Sequence, residues 1–123
     1  MVSFFQVSLL ISFACLMSLG QLLFKKTSLS ISNQNMEATS LIEGIIRSVQ
    51  IPWLYMALTV YAFATILWLY ILQRIPLSIA YPFSALAMVI VPILAVFIFG
   101  ERLSWSYWLG ALFIFIGIII IAR

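Results

Sequence analysis

"YAFATILWLYILQRIPLSIAYPFSALAMVIVPILAVF", residues 61–97, holds the decision about the fold. Two apolar stretches are parted there only by "QRIP", residues 73–76. A helix that crosses a bilayer needs about 20 mainly apolar residues. Working outward from the break, four runs meet that requirement: residues 4–24, 52–72, 77–99 and 104–122. None of them contains a charged side chain. Lys25 and Lys26 end the first run, and "GERLS", residues 100–104, parts the third from the fourth. Backbone groups in lipid must find their hydrogen bonds within the chain. The expectation is an all-α membrane protein, a bundle of four transmembrane helices forming a single domain over residues 1–123.

Composition agrees. Of 123 residues, 66% are hydrophobic and only 7% charged, where a soluble domain carries about 25% charged residues. The remaining polar surface is too small to cover a water-soluble globule. The net charge of +3 comes from Lys25, Lys26, Arg47, Arg74, Arg102 and Arg123 against Glu37, Glu43 and Glu101. Basicity this diffuse fits helix-end anchoring and anionic headgroups rather than nucleic acid. Cys15 is the only cysteine and there is no histidine, so a disulfide within the chain is excluded. Paired carboxylates, a glycine-rich phosphate loop and metal-ligand spacing are also missing. No catalytic residue, cofactor or metal site is expected. The first run lacks a basic flank before it and an A-x-A-like site after it, and it reads as a retained helix.

The segment between the first two spans differs from them. "SISNQN", residues 30–35, reads as a polar loop. Ser40 and Glu43 then have capping-box spacing ahead of an apolar stripe of Leu41, Ile42, Ile45, Ile46 and Val49. Arg47, Ser48 and Gln50 lie off that stripe. Within the insert at 29–50 this fits a short amphipathic helix at the membrane interface or a linker with some helical character. Trp53, Tyr55, Trp105, Tyr107 and Trp108 mark helix starts and read as an interfacial aromatic belt. Four basic residues on the side of the first and third loops against two on the other lean toward a cytoplasmic location for those loops, with insertion in both orientations left open.

Transport needs a polar path. On the first helix Ala14, Ser18, Gln21 and Lys25 share one face, and Tyr61, Thr65 and Trp68 share one on the second. The third span carries Ser78, Tyr81, Ala85, Met88 and Pro92 in a stripe, with Ser84 at its edge. Together these faces would line a groove with hydrogen-bonding groups and no fixed negative charge. Small and hydroxyl residues also serve ordinary helix packing, whereas Gln21 is costlier to leave in lipid. Pro82 and Pro92 free the carbonyls of Ser78 and Met88 and favour bends, either as hinges or as fixed kinks. Gly110 and Gly117 share a face of the fourth helix and admit a close neighbour there. Four spans hardly enclose a headgroup-sized cavity alone, so a dimer with the fourth helices in contact is expected.

"GQLLFKKTS", "LWLYILQRIPLSIAYPFSAL" and "FGERLSWSYWLGALFIFIGIIII" resemble the drug/metabolite transporter superfamily, in its small multidrug resistance branch. Within that branch the likeness is to subunits proposed to flip aminoarabinose-phosphoundecaprenol. The matching positions are Gly20, Gln21, Lys25, Trp68, Leu72, Gln73, Pro76, Ile79, Ala80, Tyr81 and Pro82. Drug exporters of the branch carry a membrane-embedded glutamate that here aligns with Met17. Without it, a lipophilic cation lacks a counter-charge.

The resemblance therefore implies a flippase of the bacterial inner membrane for an undecaprenyl-phosphate-linked sugar. Lys25, Lys26 and Arg74 would attract the phosphate. Ser18, Gln21, Trp68, Tyr81 and Ser84 would line the headgroup's path. The partners implied are membrane lipid, the polyprenyl-linked sugar, and either a second copy or a related small subunit. Two alternatives stay open: an exporter of small cations, and a non-transporting partner in a membrane glycolipid pathway.

Overall fold

The computed structural model describes residues 2–32 and 40–123. Among the described residues six helices run in order: α1 (Phe4–Ser32), α2 (Leu41–Val49), α3 (Pro52–Leu72), α4 (Leu77–Ser84), α5 (Leu86–Phe99) and α6 (Trp105–Ala122). Four stretches of the described residues are long and apolar enough to cross a membrane: Phe4–Ser32, Pro52–Leu72, Leu77–Phe99 and Trp105–Ala122. The expected all-α plan of four spans with a short helix between the first two is the one observed. α1 is the central element and packs on α3, α5 and α4, while α6 packs on α4 and α5.

Two boundaries differ from the reading above. The first helix does not stop at the lysines but runs on to Ser32. "KKTSLSIS" ends the apolar span without ending the helix, because it contains neither proline nor glycine. Thr27 and Ser30 direct their hydroxyls to the carbonyls one turn back, at Leu23 and Lys26 (both 2.9 Å). The polar loop read at residues 30–35 is therefore helical over its first three residues; residues 33–35 lie outside those described, as does Glu37.

The third span is two helices rather than one. Pro82 has no N–H to give the Ser78 carbonyl. The chain then tightens to three-residue hydrogen bonds, Ala85 N–H to Pro82 O and Met88 N–H to Ala85 O (both 3.0 Å). The helix breaks at Ala85, between α4 and α5. Pro92, by contrast, lies inside α5 without interrupting it.

Ser40 is the N-cap of α2, its Oγ accepting from the Glu43 amide (3.3 Å). Leu41, Ile42, Ile45, Ile46 and Val49 all face outward, while Arg47 and Ser48 are half-buried. An exposed apolar stripe backed by a polar face is the arrangement for contact with lipid rather than water.

The core gathers at the end that holds the start of α1 and the α3–α4 turn. Leu10, Phe13, Ala64, Ile71, Ile75, Ala80, Phe83 and Ile118 form it. The Gln6 side-chain amide donates to the Arg74 carbonyl (3.4 Å) and ties the same two segments.

Candidate functional site

At the opposite end a cleft of about 390 Å³ opens between α1 and α5. Gln21, Leu22, Phe24 and Lys25 line it from α1, and Val91, Pro92, Ala95 and Phe99 from α5. Glu101, in the loop after α5, completes it. A second space of about 380 Å³ shares Gln21, Val91 and Pro92 with the first and reaches Met88 and Tyr107. Gln21 thus stands where the two meet. The walls are mainly apolar with a few polar groups, and each volume is in the range of small-ligand sites.

The geometry of "GQ" explains the pair. A Cβ on Gly20 would lie 2.5 Å from a ring carbon of Tyr61. Glycine is what lets α3 bring that ring against α1. The neighbouring residue, Gln21, then faces the cleft. The buried Tyr61 hydroxyl lies beside Gln21 yet makes no hydrogen bond of good geometry. Its ring also meets Phe24 (centroids 5.1 Å apart).

One turn beyond Gln21, Lys25 Nζ is 3.3 Å from a carboxylate oxygen of Glu101. The expectation of a groove with no fixed negative charge is overturned here. Glu101 reaches the cleft because Gly100 ends α5 in the left-handed conformation (φ 68°), which glycine adopts without steric cost. The Gly100 amide returns to Val96 O (3.1 Å) and the Glu101 amide to Ala95 O (3.4 Å). "FGE" carried a legible signal, a helix-terminating glycine, but not the direction of the side chain that follows it.

Tyr107 is a second residue whose task the sequence concealed. Read as part of an interfacial belt, its hydroxyl instead donates to the Met88 carbonyl at 2.6 Å. That carbonyl is the one left without a helical donor by Pro92. The acceptor was predictable; the donor, 19 residues away, was not. Tyr55 likewise donates to the Val49 carbonyl (2.7 Å), closing the α2–α3 corner.

The other expected site residues scatter. Ser18 is 1% exposed, and its hydroxyl donates to Ala14 O (2.7 Å). Trp68 stacks on Phe13 (4.6 Å between centroids) beside the core. Tyr81 lies in a separate groove with Leu77, Ser78 and Pro82. Ser84 donates to the Tyr81 carbonyl (2.6 Å). None of these four lines the α1–α5 cleft. The Lys26 ammonium sits 3.6 Å from the centre of the Trp53 ring, a cation–π anchor. Arg74 lies over Tyr70 (4.4 Å), at the core end of the bundle. Neither of these two cations lines the α1–α5 cleft with Lys25. At Gly110 and Gly117 an added Cβ would meet nothing within 4 Å, which leaves both open to a neighbouring helix.

Four membrane-length apolar stretches among the described residues, with a polar-mouthed cleft between α1 and α5, define a small multi-pass membrane protein. The model of the EamA-like transporter family matches residues 1–123, and the chain belongs to that family. Curated relatives share the name "Probable 4-amino-4-deoxy-L-arabinose-phosphoundecaprenol flippase subunit ArnE". The protein of that name from Pseudomonas fluorescens is 36% identical over 72 residues, 58% of this chain and 63% of the relative. Its counterpart from Aeromonas salmonicida is 40% identical over 70 residues, 57% and 61% of the two chains. That from Escherichia coli O45:K1 is 42% identical over 69 residues, 56% and 62%. The chain thus matches less than two thirds of these relatives' length. No solved structure matches it. The resemblance to the drug/metabolite transporter superfamily is borne out.

Proposed function

We propose that the chain moves an undecaprenyl-phosphate-linked sugar between the leaflets of the bacterial inner membrane, working as one half of a dimer. The observation that carries this reading is the α1–α5 cleft, with Gln21 and Lys25 at its mouth and apolar walls behind them. A polyprenyl tail stays in lipid at little cost, while the headgroup needs polar partners on its way. Lys25 attracts the phosphate, and Gln21 offers a donor and an acceptor to the sugar. Pro92 sits on the cleft wall and lets α5 flex there, with the Tyr107 hydroxyl holding the freed carbonyl. Gly110 and Gly117 form the contact with the second subunit, which is either a copy of this chain or a related small protein. The printed names of the relatives, flippase subunits for a phosphoundecaprenol-linked sugar, support the substrate class.

The test is a leaflet-access assay. Vesicles containing the protein, alone and with candidate partner subunits, should expose a lipid-linked sugar to an enzyme on the far side faster than empty vesicles do. Equal rates across partners and sugars would sink the reading.

A second reading, export of a small cation, is favoured by Glu101, a carboxylate on the cleft. Lys25 already neutralises it at 3.3 Å, and Met17, at the position where exporters resembling this chain carry an acid, is packed against the core. Cation-dependent proton flux in the same vesicles would establish that reading.

A further inference from the structure

Glu101 has no task in the flippase reading just given, yet its carboxylate is held at the cleft mouth. The left-handed turn at Gly100 and the return of the Glu101 amide to Ala95 O (3.4 Å) fix its place from behind. Its partner Lys25 lies one helical turn from Gln21, on the same cleft. Side chains of Lys25 and Glu101 are 46% and 43% exposed, so a solute can reach both.

Charge balance decides what such a mouth accepts. A lone lysine would take any anion. With a carboxylate at 3.3 Å, a phosphodiester arriving at Lys25 displaces Glu101 and then lies beside it, two like charges in contact. A headgroup that carries a primary ammonium as well as the phosphodiester leaves no charge unmatched: phosphate pairs with Lys25, ammonium with Glu101. An unpaired charge against the wrong ligand is a common source of specificity.

We propose that Glu101 is the specificity-determining residue of the cleft, accepting the ammonium of an amine-bearing, phosphate-linked sugar while Lys25 takes the phosphate. The proposal rests on the flippase reading and adds to it the group that selects the headgroup.

The experiment uses the full chain in vesicles and two probes, a prenyl-phosphate amino sugar and its N-acetyl derivative, which keeps the phosphate and loses the cation. Binding and translocation are both measured. The wild type should prefer the free amine by about tenfold, the scale of one charge-assisted hydrogen bond. E101Q should abolish the preference, weakening the amine probe while the N-acetyl probe binds as well as before or better, and E101D should retain it. Loss of both probes alike in E101Q would reduce Glu101 to a structural latch and overturn the proposal. So would a preference that survives E101Q, or equal handling of the probes by the wild type. That last comparison needs no variant, so it decides even if E101Q fails to accumulate. If the wild type neither binds nor moves either probe, the flippase reading falls together with the role of Glu101.

Discussion

The two ends of the bundle are built from the same helices but on different principles. At one end Leu10, Phe13, Ile71, Ile75 and Phe83 close into a core, and the cleft beside it is apolar apart from Arg123. At the other, α1 and α5 stand apart around Gln21, Lys25 and Glu101. Helices in lipid gain little from hiding apolar surface and are held by close packing. The core end therefore sets the fold, and the far end is free to carry polar groups. The difference explains why residues that shared a face in sequence part company in space. Ser18 falls on the packed side of the divide, while Gln21 and Lys25, three and seven residues on, fall on the open side.

Substitutions at each end can break that contrast. The largest effect is expected from Leu10→Ala, a fully buried side chain. Truncations of that kind cost about 2–5 kcal/mol, and thermal unfolding in detergent should show the loss. Gly20→Ala follows, because the new Cβ would meet the Tyr61 ring at 2.5 Å. Overpacking of this kind costs about 1–3 kcal/mol, and the same melts should report it, with Tyr61→Ala restoring part of it.

Tyr107→Phe should cost about 1–2 kcal/mol, since it strips the Met88 carbonyl of its donor. Hydrogen exchange along α5 near Pro92 should rise. If exchange there is unchanged, the hydroxyl does not hold the freed carbonyl. The smallest stability effect belongs to Lys25→Ala. A half-exposed ion pair is worth under about 1 kcal/mol, so the melt should barely move while translocation falls. A large drop in stability would make Lys25 a structural residue instead.

The fold was legible because apolar run length is a strong signal. The four spans and the Ser40–Glu43 cap could be read directly from composition and spacing. The extension of α1 past Lys26 could not, since the end of an apolar run marks the edge of lipid and not the end of a helix. Pro82 and Pro92 gave the same warning with different outcomes, a break after one and a continuous helix through the other. What differs is what surrounds each, and at Pro92 that includes a tyrosine from α6.

The site was half legible. Gln21 and Lys25 stood out as polar groups in or beside an apolar run, where a polar side chain carries a cost. Trp68, Tyr81 and Ser84 shared helical faces, but a face says nothing about which neighbour it meets. Glu101 was hidden by the opposite problem, a loop residue whose position depends on one left-handed glycine.

The central claim is that the headgroup passes through the α1–α5 cleft and not along the groove that holds Tyr81. The direct test compares translocation of an undecaprenyl-phosphate-linked sugar by two pairs of variants in vesicles. Gln21→Ala and Lys25→Ala should each lower the rate by about tenfold, the loss of one charge-assisted or buried hydrogen bond, with insertion and assembly intact. Tyr81→Ala and Ser84→Ala should stay near the wild-type rate. Normal transport in the first pair with loss in the second would contradict the account and move the path to the other groove.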